Sequence, residues 1–413
     1  MRIFNNLRKW PVIVFTAVVI GSILLAMFAY QVTVLTWMHT TKTNNAVPTP
    51  VAGVAPTEVP TASSSPTPGV PTPSPTASPP VNPSSVLGID SGPPSLYPGI
   101  TWTRISYNTC GSSPTGDALK RAIQLDHLQG VHVLLMLCHQ PSHLFNMQPI
   151  NDAAQSGADA VECGNEQMKH NTYSTYVSPE SFAQYFDLCE RTVHAAHPGI
   201  PVLLGSLDPH VGGIDFEPLA EQVGYLNEME NAMNTSVHPG GHWRWRAQIL
   251  GLIDSWHNGF PNQSVNSLQA LFNFWSQQFG VDPTSGALGQ HLWVVEGTGC
   301  ISDCGLGSDY DISVAHVLTL ITDVQTAKSY HVPFFYFSGQ DFYQQGQSSF
   351  WPMGVLDLNG HPKPLRQDLG LGDRVLNMAC STGQVRVIDQ EQLLAKLYSG
   401  CSLPGNYVST LAG

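Results

Sequence analysis

From Val86 onward the chain alternates short apolar runs with longer stretches whose apolar residues recur every three or four positions. Runs of the first kind read as buried strands, and stretches of the second kind as amphipathic helices. Strands are predicted at Val86–Asp90, Thr101–Ile105, Val131–Leu137, Ala160–Cys163, Pro201–Gly205, Ile249–Ile253, Leu292–Val295 and Pro333–Phe337. A helix is predicted over 117–129, with Leu119, Ile123 and Leu128 on one face. Another begins at Ser178-Pro179, an N-cap followed by a first-turn proline, continues through Phe182, Phe186, Cys189 and Val193, and stops at His197-Pro198-Gly199. Further helices are expected over 216–233, 265–279 and 312–330. The gap between the first two strands is short and Pro-rich, so the first helix is expected to be absent or reduced. Strands alternating with helices in this number predict an α/β fold, a (β/α)8 TIM barrel spanning 86–371. Residues 372–413 are too few for an ordinary independent domain and are expected to form a C-terminal extension packed on the barrel.

The pattern before Val86 is different. Residues 11–38 are almost wholly apolar, long enough for a transmembrane helix. Arg2, Arg8 and Lys9 precede this run and only Lys42 follows closely, which places residues 1–10 in the cytoplasm and the rest outside the cell. A cleaved signal peptide is the alternative; against it stand the length of the run and the lack of a small-x-small site directly after it. Residues 39–85 are dominated by Pro, Ser, Thr, Ala and Val, a composition that cannot bury a core. They are expected to form a disordered linker that holds the barrel roughly 100 Å or more from the membrane.

Composition narrows the partners. Charged residues make up 11% of the chain and the formal net charge is −13, which argues against nucleic acid and suits anionic substrates poorly. All eight cysteines lie beyond the apolar run, where an oxidising compartment permits disulfides. Cys300 with Cys304 and Cys380 with Cys401 are close enough in sequence to pair, although spacing alone does not determine connectivity.

Candidate chemistry sits at two predicted strand ends. In His291-Leu-Trp-Val-Val-Glu-Gly-Thr-Gly-Cys300, an apolar run leads directly into Glu296. In Ala158-Asp-Ala-Val-Glu-Cys-Gly-Asn-Glu-Gln167, another leads to Asn165 and Glu166. A carboxylate at the end of an apolar strand is costly to desolvate, and a barrel gathers its C-terminal strand ends on one face. Two opposed carboxylates there suit glycosidic bond cleavage, one as proton donor and the other as nucleophile or base. Glu162, on the same side as Glu166 by two-residue alternation, is the rival acid.

With these residues in order, the chain resembles the clan A glycoside hydrolases, a large set of retaining (β/α)8 enzymes. The matching features are Asn165-Glu166 after strand four, Glu296 after strand seven, Arg104 on strand two, His257 after strand six, and the closing run Gly354-Val-Leu-Asp-Leu-Asn-Gly-His-Pro-Lys-Pro364. The resemblance implies Glu166 as acid/base, Glu296 as nucleophile, Asn165 on the substrate 2-hydroxyl and Arg104 holding Glu296 ionised. It implies a carbohydrate substrate, retention of configuration, and no metal or cofactor. The chain departs from the clan at His257-Asn-Gly-Phe260, which lacks a nearby Tyr, and at strand eight, where Tyr336 or Trp351 takes the place of a Trp platform. His139 is expected to line the mouth. Trp243 and Trp245 either stack on sugars or pack their loop on the barrel. The expected protein is a membrane-anchored, monomeric extracellular glycosidase acting on a β-linked glycan. A carbohydrate-binding barrel without turnover and a wall-remodelling transglycosylase are the alternatives.

Overall fold

The computed structural model describes residues 86–90, 100–107, 115–169, 176–207, 217–254, 267–298, 314–343, 350–351, 354–365, 367–368, 372–373 and 376–403. Eight parallel strands close into a barrel in sequence order. They are β1 (Leu87–Asp90), β2 (Trp102–Tyr107), β3 (His132–Leu137), β4 (Ala160–Asn165), β5 (Val202–Leu207), β6 (Ile249–Asp254), β7 (Leu292–Thr298) and β8 (Phe334–Phe337). β8 pairs back onto β1 through Leu87↔Phe334 to Asp90↔Phe337. The helices among them are α1 (Gly116–Leu128), α2 (Met147–Ala154), α3 (Pro179–Ala196), α4 (Glu217–Ala232), α5 (Ser267–Phe279) and α6 (Val314–Ser329). The sequence pattern missed α2. The N-terminal span 11–38, the linker 39–85 and residues 91–99 between β1 and β2 lie outside the described residues. Among the described residues no helix is long and apolar enough to cross a membrane.

Alternation along each strand sorts side chains into two cores. Val86, Trp102, Leu134, Ala160, Leu203, Trp293, Val295 and Phe335, with Ile249 against them, fill the barrel interior as a floor. Trp102 meets Trp293 edge-on at 6.0 Å, and Trp293 stacks on Phe335 at 6.4 Å. The intervening strand residues face outward and join the helices in one large apolar layer. Helix α3 is built as its pattern predicts. The Ser178 side chain accepts from the Ser181 N–H, Pro179 opens the first turn, and Phe182, Phe186, Cys189 and Val193 are all buried. Helix α1 differs from expectation. Leu119 and Ile123 are buried, but Leu128 is 83% exposed. Nine positions at about 100° each carry Leu128 to the face opposite Leu119.

Two disulfides lie wholly within the described residues. Cys163–Cys189 ties β4 to α3, and Cys380–Cys401 closes the C-terminal segment. The first closes a 26-residue separation, worth about 3–4 kcal/mol in the chain-entropy account. Cys300 and Cys304 lie outside the described residues.

The C-terminal segment belongs to the barrel wall. After two pairs of two-residue strands, β9 (Phe342–Tyr343) with β10 (Phe350–Trp351) and β11 (Gln367–Asp368) with β12 (Gly372–Asp373), a hairpin forms from β13 (Leu376–Cys380) and β14 (Gly383–Val387). Helix α7 (Gln390–Tyr398) follows, with Asp389 as its N-cap. Its Leu393, Leu394, Leu397 and Tyr398 join the outer apolar layer. The Tyr398 hydroxyl donates to the Gly88 carbonyl of β1, and Lys328 of α6 donates to the Leu397 carbonyl. Helix α7 thus occupies the place of a helix between β8 and β1.

One polar pair interrupts the outer layer. Asp254, at the end of β6, faces Asp323 of α6, and both are buried. Oδ2 of each has no hydrogen-bond partner. Burial pushes the Asp254 carboxyl up to about 7. Burial, then the charge and hydrogen bond of Asp254, hold Asp323 well above its ordinary value. A carboxyl whose folded value exceeds its unfolded one stabilises fully below about pH 4, and loses that stabilisation as the pH rises through the folded value. The Asp254→Asn/Asp323→Asn double variant is therefore expected to melt about 5 °C above the unmodified chain near pH 7.5, with the gap closing near pH 4.5. Melting curves at both pH values check this; a gap that does not change with pH would refute it.

Candidate active site

Both strands that carry the candidate carboxylates break the two-residue alternation where the carboxylates emerge. In β4, Glu162 points into the barrel, and strict alternation would send Asn165 outward. Gly164 takes φ +97°, a region that favours glycine, and a Cβ there would lie 2.7 Å from the Phe182 ring. Asn165 instead turns inward. Glu166 follows with φ +53°, rare for a residue with a side chain, and its N–H donates to the Ser206 carbonyl at 2.8 Å. Such backbone conformations cost of order 1–3 kcal/mol and cluster at functional sites.

In β7 the break is a bulge. Pairing to β6 jumps from Leu252↔Val294 to Ile253↔Glu296, and pairing to β8 from Val294↔Phe334 to Gly297↔Tyr336. One extra residue is accommodated, so Val295 joins the barrel floor and Glu296 also faces inward. Bulges beside active sites re-aim side chains in this way.

Arg104, 1% exposed, gathers these residues. Its Nη1 donates to Asp90 Oδ2 at 2.6 Å and to Glu296 Oε1 at 2.7 Å. Its Nε donates to Glu162 Oε2 at 2.9 Å, and its Nη2 to Asn165 Oδ1 at 3.0 Å. One guanidinium thus binds side chains from β1, β4 and β7 above the aromatic floor. Burial works against its charge, but Glu162, Asp90 and Glu296 outweigh that and hold it well above its ordinary value. Burial pushes the Glu162 carboxyl up, opposed by Arg104 and by the Ser206 N–H, which donates to Glu162 Oε1 at 3.1 Å. Gly251 makes room for that carboxylate, since a Cβ there would lie 3.0 Å from Glu162 Oε1. Glu162 is fully buried and has no route to substrate. It positions Arg104.

The Glu296 side chain is 15% exposed, and that of Glu166 is 25% exposed. Both therefore reach solvent where Glu162 does not. Asn165 Oδ1 also accepts from the Ser206 hydroxyl at 2.5 Å. With Oδ1 engaged twice, the amide orientation is fixed. Lys169 donates to Glu166 Oε1 at 2.7 Å.

Of the residues singled out by sequence, Arg104, Asn165 and Glu296 meet directly, and Glu166 adjoins them on the same strand end. Tyr336 is fully buried in the outer layer, because alternation sends Phe335 into the barrel and Tyr336 toward the helices. It cannot offer a sugar platform from there. His139 is also buried, its ring packed edge-on against Phe182 of α3 at 6.0 Å, so it does not line the mouth. Trp245 is a core residue lying against Trp275 and Phe279, and Trp243 packs on Phe186. His257 lies outside the described residues, as does the side chain of Trp351. Among the described residues no cluster could hold a metal ion. Asp90, Ser206 and Lys169 were not anticipated. Asp90 ends an apolar strand just as Glu296 does, and that signal was available.

No protein-family model matches the chain, and no curated protein matches it. Several solved structures are similar to it. One is a β-glucuronidase from Bacteroides uniformis, with 14% identity and a TM-score of 0.41, covering 64% of this chain and 30% of that one. Another is a fungal β-1,4-galactanase, with 13% identity and a TM-score of 0.42, covering 67% of this chain and 91% of that one. A third is a glycoside hydrolase family 17 β-1,3-glucanosyltransferase from Rhizomucor miehei, with 15% identity and a TM-score of 0.43, covering 68% and 97%. Each of the three is a carbohydrate-active enzyme by its own name, and this chain is similar to each over about two thirds of its length.

Proposed function

We infer that the chain is a retaining glycoside hydrolase acting on a β-linked glycan. The observation that carries this is the Arg104 guanidinium joined to both Glu296 and Asn165, with Glu166 next along the chain. In the reaction, Glu166 gives its proton to the glycosidic oxygen while a Glu296 oxygen attacks the anomeric carbon. The C–O bond to the leaving group breaks and a glycosyl ester forms on Glu296. Glu166, now ionised, takes a proton from water, and that water's oxygen displaces Glu296 from the anomeric carbon. Two inversions leave the configuration unchanged. In this reading the Asn165 amide hydrogen-bonds the sugar 2-hydroxyl. Arg104 donates to Glu296 Oε1 and fixes its orientation. Disulfides such as Cys163–Cys189 suit a chain exported to an oxidising compartment. The apolar span 11–38 would anchor it, with the cytoplasmic end at 1–10 and the linker 39–85 as a stalk.

The test is to incubate the full chain with aryl β-glycosides and a panel of plant and microbial β-glycans, and to read the first-formed anomer by proton NMR. A β product is expected. An α product would refute retention, and products longer than the substrate would identify transglycosylation to a sugar acceptor.

One observation favours the carbohydrate-binding reading. Lys169 Nζ donates to Glu166 Oε1 at 2.7 Å, and that contact must open before this oxygen can meet a leaving group. Glycan binding with no turnover across the panel would decide for that reading.

A further inference from the structure

Besides β4 and β7, a third strand breaks its two-residue alternation at the C-terminal end. Pairing of β5 to β6 runs through Leu203↔Ile249 and Leu204↔Leu250, then resumes at Leu207↔Leu252. One extra residue is accommodated across Gly205 and Ser206. Leu203 belongs to the barrel floor, while Leu204 and Leu207 both join the outer layer. Strict alternation would put those last two on opposite faces. A bulge of this kind re-aims the side chain it carries, and here that side chain is Ser206.

The N–H, hydroxyl and carbonyl of Ser206 each bond a residue at the end of β4. The N–H donates to Glu162 Oε1 at 3.1 Å, the hydroxyl donates to Asn165 Oδ1 at 2.5 Å, and the carbonyl accepts from the Glu166 N–H at 2.8 Å. The neighbouring Gly205 carbonyl accepts from Gln167 Nε2 at 2.6 Å, and a Cβ on Gly205 would lie 2.5 Å from the Gly164 carbonyl. Two consecutive β5 residues thus hold β4 across the stretch where Gly164 and Glu166 take positive φ.

Ser206 is fully buried, so it acts on a substrate only through its partners. Two of its three contacts are made by the backbone and ask nothing of the side chain. What serine adds is the hydroxyl, which shares Asn165 Oδ1 with Arg104 Nη2. One donor on that oxygen leaves the amide free to pivot about it, and a second donor from another direction removes that freedom.

We propose that Ser206 is a positioning residue for glycoside cleavage, its hydroxyl holding the Asn165 amide in the orientation that meets the sugar 2-hydroxyl in the transition state. The role rests on the glycosidase reading above. Hydrogen bonds to the 2-hydroxyl strengthen in the transition state, so the effect belongs to kcat more than to KM.

The experiment uses the shortest substrate of the panel that the chain cleaves, and the same compound with the 2-hydroxyl of the attacked ring replaced by hydrogen. Ser206→Ala is expected to lower kcat on the first about tenfold, equivalent to about 1.4 kcal/mol, with KM within about twofold. On the 2-deoxy compound the variant and the unmodified chain are expected to agree within about twofold. Ser206→Thr, which keeps a hydroxyl, is expected to restore the difference between the two compounds. In an Asn165→Ala background the Ser206→Ala change is expected to have no further effect on kcat, because its route to the substrate is gone. Equal losses on both compounds, which a merely structural role would give, overturn the proposal and leave the glycosidase reading intact, as does no loss on either. If the unmodified chain cleaves nothing in the panel, the glycosidase reading fails and this role falls with it.

Discussion

Glu296→Gln is expected to lose about 10⁴-fold in kcat, some 5.5 kcal/mol of barrier, while keeping its fold. The amide preserves an oxygen acceptor for Arg104 Nη1, so the contact that seats residue 296 survives. The nucleophile does not, because a neutral amide oxygen is a poor partner for an anomeric carbon that develops positive charge. Glu296→Ala goes further and leaves space beside Arg104. Added azide is expected to enter that space, displace the aryl leaving group once and release an α-glycosyl azide from a β-glycoside. NMR of the azide product checks this. A β-azide, or turnover within tenfold of the unmodified chain in Glu296→Gln, would remove Glu296 from the nucleophile's role.

Arg104→Met is expected to cost about 3–5 kcal/mol of stability and to abolish turnover. The cost arises less from lost contacts than from what is left behind. Asp90, Glu162 and Glu296 would face one another around a site with no counter-charge, and Glu162 is fully buried. Three such carboxylates bind protons more readily in the folded chain than in the unfolded one. The variant's stability deficit should therefore shrink as the pH falls toward about 4, because protonation removes the repulsion. Arg104→Lys should fold better than Arg104→Met yet remain at least about 100-fold impaired, since one ammonium cannot span Asp90, Glu162, Asn165 and Glu296. Urea titrations at two pH values, with kcat beside them, check both statements. A deficit for Arg104→Met that is independent of pH would count against the charge argument.

The barrel itself was legible because each predicted strand is a run of buried apolar residues, and the alternation of strands with helices leaves few other topologies. The carboxylates were found by where those runs stop. The inward direction of Glu296 and Asn165 was not legible. Taken literally, two-residue alternation puts Glu296 and Asn165 on the helix side, and only the β7 bulge and the left-handed Gly164 turn them in. The same rule, applied to Tyr336 and His139, would have placed both under the helices, where they are. Proximity to a strand end suggested a mouth position, and side-chain parity overrode it. The aromatic segment around Trp243 and Trp245 could be either platform or packing, because composition does not say which side of a loop meets water. Residues 372–413 are expected only as an extension packed on the barrel; helix α7 within them follows β8 by more than fifty residues, far beyond an ordinary strand-to-helix connection, so the pattern does not reveal its place in the wall.

That distance matters for how the chain comes into being. The Gly88 carbonyl on the first strand receives the Tyr398 hydroxyl from 310 positions further along. A ribosome delivers β1 early, and its outer face then waits through the synthesis of seven more strands before its covering helix emerges. Loop-closure entropy alone rises slowly with such a span, by about 0.6 kcal/mol per doubling. The burden is kinetic, since folds dominated by distant contacts close slowly and expose apolar strands meanwhile. The expected consequence for a nascent chain is a long interval in which that apolar strand face stays uncovered, until the helix arrives.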